Sequence, residues 1–346
     1  MKGGNEMSNQ IQQKTILFTI GRAGYPVTRS IQLARLLASH RILFAAPEKQ
    51  KLVLQRLEKQ GYAPLSYARN ADLKKLLTEH EPDVVISDGY DTDIDEGKML
   101  SSHVPITLHF DDFGEGGKVA TRVIQSLYRE DRETVPSHYV QGPSGFIVPE
   151  ELEPYANSGL SQSATLHLPH VVVTFADEDA DNLSYRTLRH LLHLQIPLAI
   201  TVALHSSYHH SRDDLKLMAL GRKQTRIVEC DDPIQLISDS DLVICDAGYT
   251  PYHVAVIGKP CIVIAEDEKE AQHAFPKENN GFIYLGLGRK LKQSHLQNAV
   301  METILHPKRS LRAVKKQLSF KLSLNNVNMQ RLLEKILQEE GREITK

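Results

Sequence analysis

Short apolar runs alternate with amphipathic stretches along most of this chain. In the first half, five apolar runs predict buried strands at 15–19, 41–46, 63–67, 83–87 and 105–110. Between them, apolar residues recur at helical spacing in 28–39, 49–60, 71–80 and 95–102. Strands that alternate with helices in this way predict βαβ units and a parallel sheet.

The pattern continues past residue 112 and then starts afresh. A Gly-rich stretch precedes a predicted helix near 120–128 and a short strand at 138–141. Residues 153–169 are rich in Ser, Pro and Asn and lack apolar periodicity, which is typical of a connection between domains. A second series has strands at 170–175, 197–202, 225–229, 241–245 and 260–264, and helices at 182–194, 294–306 and from 310 onward.

The two series predict an α/β protein with two doubly wound, Rossmann-type parallel-sheet domains that face a cleft. We expect a disordered N-terminus at 1–13, an N-terminal domain at 14–155, a linker at 156–169 and a C-terminal domain at 170–346. In open α/β sheets, ligands bind outside the carboxyl ends of the strands. The ligand is therefore expected in the cleft.

Length and charge narrow the class of protein. With 346 residues the chain exceeds what one hydrophobic core usually serves. A formal net charge of −2 leaves no basic surplus to neutralise the phosphates of a nucleic acid. No apolar run approaches the roughly 20 residues that span a bilayer, and the polar first 14 residues lack the apolar core of a signal peptide. We expect a cytoplasmic protein with no nucleic-acid partner and no membrane span.

The three cysteines and 16 histidines show no spacing that is typical of a metal site. No Gly-x-Gly-x-x-Gly, Walker loop or Gly-x-Ser-x-Gly occurs either. We therefore expect neither a metal nor a cofactor, and dehydrogenase, P-loop and α/β-hydrolase interpretations have little support. Two α/β domains without those loops are typical of a GT-B-type glycosyltransferase relative.

The segment 241–253 suggests where a ligand binds. A buried strand run ends in an Ala-Gly-Tyr-Thr turn, and a short apolar helix and a second strand follow. Unpaired N–H groups and the helix dipole at such a turn can dock a diphosphate. Candidate binding residues are Ala247, Gly248 and Thr250, with Gln272 in the loop after the second strand. The same turn could be only a tight connection in which Thr250 is the helix N-cap.

Acidic residues follow two strands of the first domain at the expected ligand edge. Asp88 ends one strand, and the pair Asp111 and Asp112 follows the next. These carboxylates either hold substrate hydroxyls and position a water, or form plain acidic turns. His109 lies inside an apolar strand run, so it is either a core histidine or a spare base near the edge. Asp88, His109, Asp111 and Asp112 are the candidate catalytic residues from this pattern.

Several landmarks occur in an order that resembles one family. They are a Gly-containing first turn followed by 29–34, Asp88-Gly-Tyr90, Asp111-Asp112, Gly142-Pro143 with Phe146-Ile147, Asp179 with Asn182-Leu183, the turn at 247–250, Gly258-Lys-Pro260 and Gln272. From about Ile16 to Leu337, the chain resembles the UDP-sugar hydrolases of the pseudaminic acid pathway (PseG type). It is also similar to their sporulation relatives, the spore coat polysaccharide biosynthesis proteins of SpsG type. Both are GT-B relatives of the MurG glycosyltransferases.

This resemblance implies a UDP-sugar partner, a first domain on the substrate or acceptor side and a second domain that binds the nucleotide-sugar. It also implies that water displaces UDP without a metal, with the His of a Gly-x-Gly-His-x-x-Arg loop as the base. The matching loop, 21–29, contains no His. Tyr25 or Pro26 takes the base position, depending on one inserted residue. Tyr25 is thus the catalytic candidate there, although a tyrosine with an ordinary pKa of roughly 10 is a poor base at neutral pH.

Two further departures concern the nucleotide side. Relatives usually have a Gly-Gly-Ser/Thr-Asp turn after the first strand of the second domain, whereas this chain has three carboxylates within 176–179. These would bridge a cation, point away from a diphosphate or form an acidic helix start. GT-B donor sites usually have a Glu that accepts both ribose hydroxyls, and here His253 stands in its place. A neutral imidazole offers only one donor and one acceptor.

Three hypotheses remain open from the sequence. The first is a nucleotide-sugar-processing protein of spore coat polysaccharide biosynthesis that hydrolyses a UDP-sugar. The second is a GT-B glycosyltransferase that passes the sugar to an acceptor. The third is a catalytically degenerate relative that only binds a nucleotide-sugar.

Overall fold

A computed structural model describes residues 13–130, 135–161, 168–175 and 177–339 of the protein. The predicted disordered N-terminus lies outside these residues except for residue 13. Residues 162–167 of the predicted linker and Ala176 of the acidic loop also lie outside them.

Strands and helices alternate along the described chain. The strands are β1 (Thr15–Ile20), β2 (Arg41–Pro47), β3 (Leu65–Tyr67), β4 (Val84–Asp88), β5 (Ile106–Phe110), β6 (Arg122–Gln125), β7 (Tyr139–Gln141), β8 (His170–Thr174), β9 (Ala199–Leu204), β10 (Thr225–Glu229), β11 (Leu242–Cys245), β12 (Cys261–Ala265) and β13 (Ile283–Leu287). The α-helices are α1 (Tyr25–Leu36), α2 (Lys51–Lys59), α3 (Asn70–His80), α4 (Ile94–His103), α5 (Leu183–Leu191), α6 (Arg212–Ala219), α7 (Ile234–Ser238), α8 (Thr250–Ile257), α9 (Gln293–Leu305), α10 (Pro307–Leu318) and α11 (Asn325–Glu339).

The chain divides into two compact units. The first holds the described residues up to Ile124 and from Leu332 onward, and the second runs from Gln125 to Arg331. One sheet has seven strands in the order β3-β2-β1-β4-β5-β6-β7, and the other has six in the order β10-β9-β8-β11-β12-β13. Neighbouring strands pair in parallel from β3 to β6 and throughout the six-stranded sheet. The predicted fold class, two parallel α/β sheets, is confirmed, and the predicted domain boundaries stay a prediction.

Each sheet is wound outward in both directions from a central pair of strands. The chain moves from β1 to β2 and β3 on one side, and returns to place β4, β5 and β6 on the other. The second sheet repeats this plan around β8 and β11. The loops after β1 and β4, and those after β8 and β11, therefore flank the switch points where ligands bind in such sheets.

Stacked aromatic rings form part of the core of the second unit. The rings of Phe146 and Tyr252 stack with centroids 4.6 Å apart, and those of Tyr252 and Phe275 stack at 3.9 Å. Phe282 and Phe320 meet Phe275 edge-on at 5.2 and 5.4 Å. The Tyr252 hydroxyl donates a hydrogen bond to the carbonyl oxygen of Ser126. The stack thus ties the first turn of α8 to segments distant in sequence.

Side-chain amides fix the segment that follows β7. Asn326 accepts from the Val148 N–H through Oδ1 and donates to the Val148 carbonyl through Nδ2, both at 2.8 Å. Asn325 donates to the carbonyls of Pro143 and Phe146 at 2.8 and 2.9 Å. Because the segment is buried, these bonds supply the backbone partners that it would otherwise lack.

One predicted element was wrong. The predicted helix near 120–128 is the strand β6, preceded by a 3₁₀ turn at Glu115–Val119. Val123 and Ile124 are fully buried and pair with His109 and Phe110 of β5. A short apolar run has no periodicity that separates strand from helix, so pairing with the neighbouring strand decides. The sequence pattern also missed α6, α7 and β13.

No helix of the described residues is both long and apolar enough to cross a membrane.

We expect Tyr252→Ala to lower the free energy of unfolding by about 3–5 kcal/mol, because it removes the middle ring of a buried stack. Tyr252→Phe keeps the stack and loses only the hydroxyl, so it should cost about 1–2 kcal/mol. Urea unfolding of the three proteins measures both differences. Equal losses in the two variants would contradict an energetic role for the stack.

Candidate functional site

Arg29 organises the switch point of the first unit. It projects from α1, is fully buried and donates through Nε and Nη2 to the two carboxylate oxygens of Asp88, at 2.7 and 2.5 Å. Its Nη1 donates to Oδ2 of Asp111, whose backbone has a positive φ of 48°. Asp88 ends β4 and Asp111 follows β5, so one guanidinium joins two strand ends. Asp88 and Asp111, both predicted as site residues, therefore lie together around Arg29. Arg29 itself was not among the predicted site residues.

Two aromatic rings cover the Arg29 guanidinium. Its carbon lies 5.2 Å from the centre of the Tyr25 ring and 5.0 Å from that of Phe110. Tyr25 is the first residue of α1 and is partly exposed. The ring is therefore placed at the carboxyl edge of the first sheet, next to a cation.

His109 and Asp112 form a separate buried network. His109 Nδ1 lies 2.6 Å from Oδ2 of Asp112, which also accepts from the Thr92 hydroxyl at 2.5 Å. The Thr92 and Gly114 N–H groups donate to Oδ1 of Asp112 at 3.0 and 2.7 Å. Burial opposes the charged form, but these hydrogen bonds prevail and lower the pKa of Asp112. Asp112 thus holds the loop after β4 against the loop after β5.

His109 is itself only 1% exposed, and its Nε2 is buried without a hydrogen-bond partner. The side chain alternates away from that of Phe110, so it lies on the opposite face of the sheet from Arg29. The imidazole of His109 is therefore a buried side chain of β5 and is not part of the group around Arg29.

In the second unit, the N–H groups of the predicted phosphate-binding turn already donate hydrogen bonds to side chains of the protein. Asp246 ends the β11 run and accepts from the Gly248 N–H through Oδ1 at 2.7 Å, and from the Thr250 hydroxyl through Oδ2 at 3.0 Å. Glu270 Oε2 accepts from the Ala247 N–H at 3.2 Å and from the Glu266 N–H at 2.9 Å. The N–H groups expected to meet a diphosphate therefore point at the chain's own carboxylates.

These contacts also correct the expected role of Thr250. Helix α8 begins at Thr250, and the residue before it is Tyr249, so Thr250 is the first helical residue and not the N-cap. Its hydroxyl donates to Asp246 instead of accepting from the helix N–H groups.

The carboxyl groups of Asp246 and Glu270 both lie close to Gly248, and burial disfavours the charged form of both. A Cβ on Gly248 would lie 3.1 Å from Asp246 Oδ1 and 3.3 Å from Glu270 Oε1. Burial raises the pKa of Asp246 to about 6, and the charge of Asp177 adds to the effect. Burial, with the charge of Asp246, raises the pKa of Glu270 to about 8. Near neutral pH this pair therefore holds a proton that ordinary carboxylates would have released.

Glu270 was missed by the sequence analysis. It lies 22 residues after Gly248, in an exposed-looking acidic stretch between Asp267 and Gln272. Nothing local distinguishes it from Glu266 or Glu268, because its partner N–H at Ala247 is supplied by the fold. The neighbouring His273 lies with Nδ1 2.7 Å from the Ala247 carbonyl and fixes the same turn from the other side.

The two remaining candidates for nucleotide binding, His253 and Gln272, differ in exposure. His253 is one turn into α8, with its ring 5.7 Å from that of Phe146, and burial lowers its pKa to about 4. The imidazole is therefore neutral at pH 7. Gln272 is exposed at the end of a 3₁₀ turn, Glu270–Gln272.

The acidic loop after β8 supplies a helix cap. Asp179, at a positive φ of 45°, accepts from the Leu183 and Ser184 N–H groups at 2.6 and 2.9 Å, so it caps α5. Asp177 lies 3.9 Å from His205. Within the described residues no group of three or more His, Cys, Asp and Glu side chains has the arrangement of a metal site.

Comparison with known proteins supports the architecture. No family model matches the chain. A curated relative, the uncharacterized protein MJ1062 of Methanocaldococcus jannaschii, is 23% identical over 234 residues, which cover 64% of this chain and 48% of that protein. The chain thus spans about half the length of the curated relative it matches.

Solved structures share the fold across nearly the whole chain. MurG of Acinetobacter baumannii has a TM-score of 0.67 at 14% identity and covers 93% of this chain and 99% of its own. UDP-GlcNAc 2-epimerase of Neisseria meningitidis, bound to UDP-GlcNAc, has a TM-score of 0.57 at 11% identity and covers 91% and 100%. The chain therefore has a GT-B-like fold, as predicted.

We expect Arg29→Met to lower the free energy of unfolding by about 3–5 kcal/mol, because it leaves two buried carboxylates without their cation. Arg35→Met, at an exposed position of the same helix, is the matched control and should change stability by less than about 0.5 kcal/mol. Urea unfolding compares the two. A loss at Arg29 no larger than that at Arg35 would refute the structural role of the ion triad.

Glu270→Gln should change how stability depends on pH. The pKa of Glu270 is raised in the folded state from 4.5 to about 8, so the folded chain keeps the proton in this window and wild-type stability falls as pH rises through it. The substituted amide cannot ionise, so the variant should gain on wild type by on the order of 1 kcal/mol for each pH unit between the two pKa values. Thermal unfolding from pH 5 to 9 measures the difference, with Glu268→Gln as an exposed control. A difference that does not grow with pH would exclude burial of an ionisable Glu270.

Proposed function

We propose that this protein binds a nucleotide-sugar at the turn after β11 and serves in nucleotide-sugar processing. The observation that carries the proposal is the position of that turn in a GT-B-like fold. Gly248 and the first residues of α8 lie at the switch point of the second sheet, where backbone N–H groups and the helix dipole favour a diphosphate. The solved structures that share the fold include MnaA of Staphylococcus aureus with UDP and an epimerase with UDP-GlcNAc.

Binding of a diphosphate at this turn depends on the charge of Asp246 and Glu270. The N–H groups of Ala247 and Gly248 are engaged by Glu270 and Asp246, and charged carboxylates repel a diphosphate. The ligand must therefore meet a protonated pair or displace it. With Asp246 and Glu270 titrating at about 6 and about 8, mildly acidic solutions favour the neutral pair. Affinity for a nucleotide diphosphate should therefore rise as pH falls through this range.

Among the three functional hypotheses, binding without hydrolysis has the best support. Asp88 and Asp111 are both engaged by Arg29, and Asp112 holds a loop through four hydrogen bonds. His109 is buried in β5. Tyr25 is partly exposed at the carboxyl edge, and a phenol is a weak base at neutral pH. The loop after β1, residues 21–24, thus contains no histidine or carboxylate that could serve as the general base.

Hydrolysis of a UDP-sugar is the second candidate, and the partly exposed position of Tyr25 beside the Arg29 guanidinium is the observation that favours it. The setting in spore coat polysaccharide biosynthesis comes from the resemblance and belongs to the same proposal. Transfer of the sugar to an acceptor is the remaining alternative.

Calorimetric titration with UDP and UDP-N-acetylhexosamines tests the binding proposal. We expect affinity at least tenfold higher at pH 6 than at pH 8.5, with much of the difference removed in Glu270→Gln because the substituted amide carries no charge. Glu268→Gln should retain the wild-type pH dependence. Absence of binding to every uridine nucleotide at both pH values would overturn the proposed function.

Product analysis then separates binding from chemistry. Bound UDP-sugar that stays intact in wild type and in Tyr25→Phe supports a binding role. Free reducing sugar and UDP in water alone, lost in Tyr25→Phe, would replace it with hydrolysis. UDP release that depends on an added acceptor would replace it with transfer.

A further inference from the structure

A cavity of about 380 Å³ opens at the amino ends of β8, β9 and β10 in the second unit. This volume lies at the lower end of the range of roughly 300–1,000 Å³ that is typical of small-molecule sites. The turn after β11 lies at the carboxyl end of the same parallel sheet, so the cavity is a separate place from the proposed nucleotide site. Its lining residues are His170, Ala199, Thr201, Lys223, Gln224 and Arg226.

The register of the strands places these side chains on one face of the sheet. Thr201 of β9 pairs with Arg226 of β10, and His170 of β8 pairs with Ala199 of β9. Ala199 and Thr201 are two residues apart on one strand, so all four side chains point to the same side. The cavity is therefore built by three neighbouring strands and not by a single loop.

The carboxylates near these strands are directed elsewhere. Glu229 is three residues beyond Arg226 on β10, so it lies on the opposite face, where it is 3.3 Å from Nε of Arg212. Asp241 accepts from the His170 N–H at 2.8 Å, and Asp239 presents its backbone carbonyl to the imidazole of His170 at 3.4 Å. Among the described residues no carboxylate lines the cavity.

The Arg226 guanidinium is anchored beside the cavity by Thr201. The Thr201 hydroxyl is only 1% exposed, accepts from Nη2 of Arg226 at 3.2 Å and lies 2.9 Å from Nε2 of His170. Within the part of the chain that the structure describes, Arg226 makes no other side-chain hydrogen bond, and the Lys223 ammonium makes none. Two cations thus border one cavity without a carboxylate partner, although the net charge of the chain is −2.

We propose that this cavity binds a small oxyanion, the phosphate or carboxylate group of a metabolite. The guanidinium of Arg226 offers parallel N–H donors to two oxygens of such a group, and the Lys223 ammonium adds a compact positive charge. The Gln224 amide, which also lines the cavity, supplies a neutral donor. An anion held here does not compete with a nucleotide-sugar, because the two sites lie at opposite ends of the strands.

Calorimetric titration of the full chain with inorganic phosphate near pH 7 tests the proposal. Wild type should bind phosphate saturably, and Lys223→Gln/Arg226→Gln should lower the affinity by about tenfold or more, because it removes both charged donors. Thr201→Val should lower the affinity less, since it releases Arg226 from its anchor but keeps the charge. A parallel titration with malonate identifies the source, because the tighter of the two anions is the group that the cavity prefers.

A matched control is Lys216→Gln/Arg222→Gln, which removes two exposed cations from the same region that do not line the cavity. This variant should bind as wild type does. The proposal is overturned if neither anion binds saturably, if Lys223→Gln/Arg226→Gln binds as wild type does, or if the control loses as much affinity, because net charge alone then explains binding.

The proposed function is tested separately. Titration of Lys223→Gln/Arg226→Gln with UDP should give the wild-type result, whatever that result is. Phosphate that binds at the turn after β11 would be insensitive to Lys223 and Arg226, so the two sites are distinguished by the same variant.

Discussion

Both units depend on one constraint, which is that the backbone N–H groups at the carboxyl ends of the central strands need hydrogen-bond acceptors. A parallel sheet with helices after its strands leaves such groups unpaired at every turn, and buried donors need acceptors. This chain supplies the acceptors from its own carboxylates. Asp112 holds the loops after β4 and β5, Asp179 caps α5, and Asp246 and Glu270 hold the turn before α8. Hydrogen bonds to the protein's own carboxylates thereby fix the loops at the switch points.

Much of the fold could be predicted from the sequence because the alternation of apolar runs and amphipathic stretches is a local signal. Central strands such as β4 and β11 are buried on both faces and read as continuous apolar runs. The signal failed where a run was short or half exposed. The short apolar run of β6 predicts a helix instead of a strand, and the pattern does not predict β13, an edge strand that is only partly buried.

The candidate site could be predicted only in part, because its decisive contacts join distant residues. The sequence marked the glycine turn and the acidic strand ends, since each is defined by its immediate neighbours. Arg29 reaches Asp88 and Asp111 across 59 and 82 residues, and Glu270 reaches Ala247 across 23. No local pattern of charge or burial distinguishes Arg29 or Glu270 from ordinary surface charges. The packing of α1 and of the turn after β12 against the strand ends brings the partners together.

The placement of charge also controls how the second unit can meet the diphosphate that it is proposed to bind. At the turn before α8, favourable N–H groups are screened by two carboxylates, so a small diphosphate binds only when protons or a shift of Glu270 remove the repulsion. The protonation state of Asp246 and Glu270 thus decides whether a diphosphate is accepted at this turn. A net charge of −2 gives no sign of this arrangement, because it averages the acidic turn with the rest of the chain.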